Sequence, residues 1–280
     1  MKTLIELIKS GNEHGFYTHC GIPHFDETAG WIVLQEWGAD PDKLQRVPKS
    51  FKIPKDGVAF DTHFTEFDHH QAGGVPTYED GVKYASLGRL VSTYMVEALT
   101  LAGKSKRVAE EATKGFMDHF VTFMDHTDNE GPVKYPNTLT YMFNALRDTH
   151  ENPSSDETFN ELVSAMYQFV ESAITKEVAD AEERETAANL AEGKEWVDCT
   201  EGKYFKAALF KGTTVKFVLG NDIQTPGNFN VTAVDSVASP VIAVAGEGDC
   251  TFIHAGKFIA SFKTKEAAIT AINNSLKITE

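Results

Sequence analysis

At 280 residues the chain is long enough for one large domain or two ordinary ones. Hydrophobic residues make up 41% and charged residues 24%, a globular composition that excludes intrinsic disorder. The 26 basic and 41 acidic side chains leave a net charge of −15, which excludes a protein that coats duplex DNA. A small phosphorylated ligand, or a short single strand held through metal ions, stays compatible with that charge.

No apolar run reaches membrane-spanning length, and Met1-Lys2-Thr3-Leu4-Ile5-Glu6 has an early acid and no signal-peptide core. A soluble, cytoplasmic protein with no membrane partner is expected. Cys20, Cys199 and Cys250 are odd in number and far apart, so reduced thiols are expected in place of a disulfide framework.

Residues 14–150 hold nine of the ten histidines and read as α/β. Phe16-Tyr17-Thr18 predicts a short strand running into a polar loop, and a helix follows at Glu27–Trp37 with Ala29, Ile32, Val33 and Trp37 near helical spacing. Val58-Ala59-Phe60 and Thr65-Glu66-Phe67 predict two more buried strands. Helices are expected over about 85–102, where Leu87, Leu90, Val91, Tyr94, Ala98 and Leu101 form an apolar stripe, over about 105–127, and over Leu139–Leu146.

Ser154 and Glu157 fit a capping box, and Phe159, Leu162, Met166, Phe169 and Ala173 recur on one helical face. The acidic, alanine-rich continuation to about Gly193 predicts one long connecting helix with a solvated distal half. The last segment reads as strands at Ala207–Phe210, Thr214–Leu219, Phe229–Val234, Val241–Ala245, Thr251–His254 and Phe258–Phe262. A helix opened by Thr264 follows, with Ile269, Ile272 and Leu276 on one face. Domains are therefore expected at 1–152 and 196–280, joined by a connector over 153–195.

Three stretches carry chemistry. In Thr18-His19-Cys20-Gly21-Ile22-Pro23-His24-Phe25-Asp26-Glu27, two histidines and two carboxylates sit between a strand end and a helix start. Imidazole with carboxylate suits divalent transition ions, and the carboxyl edge of an open α/β sheet is where such folds bind ligands. The bland alternative is a polar loop whose histidines cap backbone. Cys20 is expected to be a small buried filler. In the second stretch, Asp61 ends a strand, and Asp68-His69-His70-Gln71 follows. Three consecutive ligand-type side chains are costly to bury unless a cation pairs them, and they converge only where a strand gives way to a loop. The third stretch, Asp125-His126-Thr127-Asp128-Asn129-Glu130-Gly131, places carboxylates at a helix C-terminus, where they oppose the helix dipole. A metal would compensate, and a polar turn is the alternative. His119, in the middle of the same helix among phenylalanines, is left out.

Together, His19, His24, Asp26, Asp61, His69 or His70, and one of Asp125 and Asp128 would supply two octahedral-type ions, with a central aspartate able to bridge. Two ions about 3.5–4 Å apart clamp an in-line phosphoryl displacement. No nucleophile elbow, phosphate loop or His-Glu-x-x-His helix is present.

These stretches match a family pattern. Thr18-His19-Cys20-Gly21-Ile22-Pro23-His24-Phe25-Asp26-Glu27 resembles the Thr-His-x-Gly-x-x-His-x-Asp-Asp/Glu opening of the melanocyte-proliferating-gene family of DHH-like metal-dependent hydrolases. Asp68-His69-His70-Gln71 resembles its Asp-His-His-Gln motif. The stretch from Asp125 to Gly131 is similar to its Asp-x-x-Asp-Asn-Gly segment, with Glu130 inserted. Cys250-Thr251-Phe252-Ile253-His254-Ala255-Gly256-Lys257-Phe258-Ile259 looks like its C-terminal Phe-x-His-Ala-x-x-Phe-Ile stretch. Asp61-Thr62-His63 departs from the usual Asp-Val-Gly, and Ile22-Pro23 from the usual Thr-Phe.

The resemblance implies a DHH-type α/β domain with a parallel-type sheet, then a smaller α+β substrate-binding domain. It implies two divalent ions, Mn²⁺ first and Mg²⁺ second. His19, His24, Asp26, Asp61, His69 and Asp125 or Asp128 would bind them, with Asp61 bridging. His70 would act at the scissile phosphate, and His254 and Lys257 would hold substrate phosphate. The implied activity is a dinuclear-metal phosphodiesterase, a 3′–5′ exonuclease on short single-stranded RNA or oligonucleotides. A nucleotide or small-phosphate phosphatase is the alternative among enzymes, and a non-catalytic regulatory module that keeps a metal is the alternative outside them. The sequence leaves a homodimer open.

Overall fold

The computed structural model describes residues 2–71, 74–131, 134, 138–190, 196–197, 208–211, 214–222, 224–233, 241 and 249–278. It is mixed α/β, with a parallel three-stranded sheet near the N-terminus and a separate antiparallel sheet near the C-terminus. The chain divides into two compact units, Met1–Ala179 and Asp180–Glu280.

The first unit opens with a helix the sequence reading did not include, α1 (Leu4–His14). Its start is a capping box in which Glu6 N donates to Thr3 Oγ1 and Thr3 N donates to Glu6 Oε2. Strand β1 (Phe16–His19) pairs in parallel with β2 (Leu44–Val47) on one side and β3 (Val58–Ala59) on the other. The sequence reading also passed over β2, whose Gln45 and Arg46 break the apolar run. Thr65–Phe67 is not a strand. It contributes one isolated bridge, Phe60 to Phe67, because Asp61, His63 and Phe64 adopt left-handed backbone (φ 51°, 59° and 52°) and turn the chain away from the sheet.

Helix α2 (Phe25–Glu36) is buried on every side from Phe25 to Leu34. Trp31 stacks on Phe60 (centroids 6.3 Å) and meets Phe16 at a tilt (5.3 Å), fixing the helix to the sheet. Behind it lie α3 (Ser86–Leu101), α4 (Lys106–Phe116) and α5 (Thr122–Glu130). The helix expected at 105–127 reaches Glu130 and contains a π-helical segment at Met117–Val121. Helices α6 (Thr138–Arg147) and α7 (Asp156–Leu190) follow. The cap of α7 is Ser155 in place of Ser154, with Thr158 N donating to its hydroxyl at 3.1 Å. The two units divide inside α7. Among the described residues no helix is long and apolar enough to cross a membrane.

In the second unit the strands run in the order β4 (Trp196–Val197), β5 (Ala208–Lys211), β6 (Thr214–Asn221), β7 (Phe229–Ala233), β9 (Ile259–Phe262), β8 (Cys250–Ile253). Helix α8 (Lys265–Ile278) starts at Thr264, whose hydroxyl accepts from Ala267 N. Phe217, Leu219, Val231, Ala260 and Phe262 from the sheet meet Ala268 and Ile272 of α8 in the core. Ala207, most of the strand expected at Val241–Ala245, Gly193 and Cys199 lie outside the described residues.

Candidate metal centre

All three parallel strands end at one sheet edge, and the loops leaving β1 and β3 there carry the histidine-rich stretches. After β1, Gly21 N donates to His19 Nδ1 at 3.0 Å and turns the ring so that Nε2 faces Glu27 and, at 3.2 Å, Asp61 Oδ2. His24 caps α2, and its backbone N–H donates to Glu27 Oε1 at 3.2 Å. Asp26 and Glu27 therefore lie in the first turn of α2, where the helix dipole favours negative charge, and both are buried.

After β3, Asp61 takes its left-handed conformation, which an aspartate tolerates better than a branched residue. His69 sits between two acids, Nδ1 at 3.4 Å from Asp61 Oδ1 and Nε2 at 3.1 Å from Asp128 Oδ2. His24 Nδ1 is 3.7 Å from Asp128 Oδ1. Ligand atoms gather in three overlapping groups: Asp61, Asp68, His69 and His70; His19, His24 and Asp61; and His24, Asp26 and Asp128. Asp61 belongs to two of them. The structure thus brings together His19, His24, Asp26, Asp61, His69, His70 and Asp128.

Asp125 does not join these groups. It is buried under the start of α3, where its carboxylate accepts from Tyr78 OH at 2.8 Å and from Gly88 N at 3.3 Å. Asp26 Oδ2 accepts from Ser86 N at 3.3 Å in the same turn. Helix α3 has no capping side chain of its own at Ala85, so these two acids serve its exposed N–H groups. His254 and Lys257 lie in the second unit, in the turn between β8 and β9, where Lys257 is left-handed (φ 55°) and His254 packs on Phe258 at 4.2 Å.

His70 is held differently from His69. Its Nδ1 lies 2.7 Å from Asp68 Oδ1, its backbone N–H donates to the same oxygen, and its side chain is 59% exposed. Asp68 is buried, which alone would raise its pKa. The His70 and Phe64 contacts outweigh that and hold it low. His63, which adds to the histidine density in the sequence, is a brace: its ring nitrogens bind Thr62 Oγ1 and the Phe51 carbonyl, each at 2.8 Å. His126 is likewise spent on the Thr122 carbonyl and Asp80. Cys20 is exposed, not a buried filler, because the loop bends outward after β1.

The cluster is electrostatically unfinished. Asp26 Oδ1, Glu27 Oε2, Asp61 Oδ1 and His69 Nδ1 are buried and make no well-formed hydrogen bond: Glu27 Oε2 only abuts His19 Nε2, and Asp61 Oδ1 and His69 Nδ1 face each other at 3.4 Å. Among the described residues no lysine or arginine pairs with Asp26, Glu27, Asp61 or Asp128. Burial first, then repulsion from Asp26 and Glu27, pushes the Asp61 carboxyl well above the ordinary range. Burial and Asp26 do the same to Asp128, and burial keeps His69 low. Unpaired buried carboxylates cost several kcal/mol each, and cations remove that cost. The oxygen and imidazole donor set fits hard or borderline divalent ions.

Glu27 is the member that sequence reasoning did not single out. Its capping-box spacing from His24 was the available signal, since a carboxylate three residues after a loop histidine reaches back toward it.

The chain belongs to the family described as MYG1_exonuc, uncharacterised protein family UPF0160, which matches residues 16–240. The match includes all three N-terminal motifs and ends before Cys250–Ile259. No curated protein and no solved structure matches the chain.

Proposed function

We propose that the first unit is a DHH-type phosphohydrolase that holds two divalent ions, Mn²⁺ in preference to Mg²⁺, and acts as a 3′–5′ exonuclease on short single-stranded RNA or oligonucleotides. The observation that carries this is the crowd of buried ligand-type atoms on Asp26, Glu27, Asp61 and His69 that make no well-formed hydrogen bond and, among the described residues, meet no lysine or arginine, with the exposed, carboxylate-braced His70 beside Asp61 and His69. The family's printed name is that of an exonuclease.

His19, His24, Asp26, Asp61, His69 and Asp128 would hold the ions. Asp61 would be shared, since its oxygens lie within reach of both histidine groups. Bound ions of this kind activate water and neutralise phosphate charge. Asp68 engages His70 Nδ1 and leaves Nε2 of this exposed ring available, where it would hold a proton against the leaving oxygen as the phosphorus–oxygen bond breaks. Asp125 is a positioning residue that sets the start of α3 and, through α5, the place of Asp128. In the second unit, His254 and Lys257 would bind substrate phosphate. The net charge of −15 favours a short oligonucleotide or nucleotide over a long polymer.

The test is an Mn²⁺ titration of EDTA-stripped protein against 5′-labelled short RNA, the matching DNA, a dinucleotide and phosphoadenosine phosphate. A metal-dependent product ladder from the RNA supports the exonuclease. Release of inorganic phosphate from the nucleotide alone would replace it with a phosphatase. Silence with metal still bound would overturn the hydrolase reading.

A further inference from the structure

A cavity of about 210 Å³ opens beside the cluster, between α2, α5 and α6. One wall is His24, Asp26 and Asp128, which also form one of the ligand groups. Asn144 and Arg147, three residues apart on one face of α6, also line it. Phe25 and Met124, both buried, give the cavity an apolar floor. Its volume lies below the roughly 300–1,000 Å³ of pockets that enclose a whole drug-sized ligand, so it takes one nucleotide at most, and that only in part, and not a stretch of polymer.

Arg147 is placed before any ligand arrives. Its Nη1 donates to the Pro23 carbonyl at 3.2 Å, which ties the guanidinium to the residue preceding His24. Its Nε donates to Asp148 Oδ1 at 2.8 Å, and the side chain is only 16% exposed. No hydrogen bond engages Nη2 among the described residues, and Arg147 alone in the lining carries a fixed positive charge. A partly ordered guanidinium with a free donor, beside side chains that could hold a cation, is arranged for an anion with several oxygens. Asn144 is half-buried, and its side-chain amide makes no hydrogen bond among the described residues. An amide offers both a donor and an acceptor, as the edge of a nucleobase requires.

We propose that this cavity is a nucleoside monophosphate subsite, in which Arg147 binds the phosphate and Asn144 reads the edge of a base lying on Phe25 and Met124. The inference rests on the phosphohydrolase reading of the adjoining cluster, and it assigns the terminal nucleotide of the substrate to α6.

The probes are adenosine 5′-monophosphate, ribose 5-phosphate and adenosine, titrated calorimetrically into the Mn²⁺-loaded full chain and its variants. Arg147→Met is expected to weaken both phosphates about tenfold or more, with Mn²⁺ affinity unchanged. Asn144→Ala is expected to weaken adenosine monophosphate severalfold and to leave ribose 5-phosphate alone. It removes an unbonded side chain, so it keeps the test sound if Arg147→Met melts early. Wild-type protein that ignores adenosine monophosphate, or binding unaffected by either variant, overturns the subsite. Nucleotide binding that depends on Arg147, with no cleavage of any phosphodiester, would sink the hydrolase reading and leave the subsite standing. Cleavage with nucleotide binding blind to both variants would do the reverse.

Discussion

Gly88→Ala sets two effects of opposite sign against each other. In an exposed helix the change gains about 1 kcal/mol of helix propensity. Gly88 sits in the first turn of α3, where an added Cβ would fall 1.9 Å from Asp125 Oδ2 and 2.9 Å from its Cγ. The carboxylate cannot swing aside, because it is buried and tied to Tyr78 OH and Gly88 N. Forcing a methyl into a packed site costs about 1–3 kcal/mol. Releasing the Tyr78 hydroxyl and one carboxylate oxygen costs about 1–3 kcal/mol more. The net is a loss of roughly 1–5 kcal/mol, centred on ~3 kcal/mol, or about 3–15 °C in the melting temperature of the first unit. Thermal unfolding followed by circular dichroism measures it. Tyr78→Phe and the double variant complete a cycle that should be strongly non-additive, since both changes act on the same carboxylate. A neutral or stabilising Gly88→Ala would mean that propensity wins, and would refute Asp125 as the anchor of α3.

In EDTA, stability should fall as pH rises above the ordinary carboxylate value near 4, because burial holds the Asp61, Asp125 and Asp128 carboxyls high, so the folded state binds more protons than the unfolded one. His69, held low by burial, works the other way near pH 6, but three carboxylates outweigh one imidazole. Saturating Mn²⁺ should abolish the slope, and Asp61→Asn should raise the metal-free melting temperature while removing the Mn²⁺ response; a metal-free stability that rises through this range contradicts the burial argument. Arg46→Met should cost about 2–3 kcal/mol and open the loop around Gly21 to limited proteolysis, because Arg46 binds the Ser154 and Ser155 carbonyls at 3.0 Å, reaches the Gly21 carbonyl and lies 4.9 Å over Phe159. His70→Ala should leave Mn²⁺ affinity unchanged, lower the melting temperature by no more than a few degrees through the lost contact to Asp68, and lower kcat by about 10²–10⁴; a change confined to KM would make His70 a binding residue.

The strand-to-helix segment from Phe16 to Glu27 was legible because its candidate ligands are local. One strand end and one helix start bring His19, His24 and Asp26 to a sheet edge whatever the rest of the chain does. His69 and His70 were legible as a dense pair, but not as two environments. Asp68 braces one and two other acids flank the other, and both arrangements depend on a loop of left-handed residues that no periodicity reveals. The choice between Asp125 and Asp128 was not legible either. They lie three residues apart on one helix, and only the arrival of α3 turns one into a cap. Helix α1 carried a readable capping box at Thr3 and Glu6. Strand β2 carried no such signal, since Gln45 and Arg46 break its apolar run and Arg46 spends its charge on the start of α7.

Helix α3 begins on two acids, Asp26 from the histidine and carboxylate cluster at Ser86 N and Asp125 from outside it at Gly88 N. A genetic screen for inactive alleles will therefore return both kinds of lesion from one small patch. An Asp26 allele loses a cluster carboxylate and a helix cap together, and its phenotype alone says nothing of chemistry. Asp128, which caps nothing, and His70, which is mostly exposed and among the described residues touches only the His69 ring and Asp68, are the positions where a null allele with normal protein abundance speaks for the reaction itself.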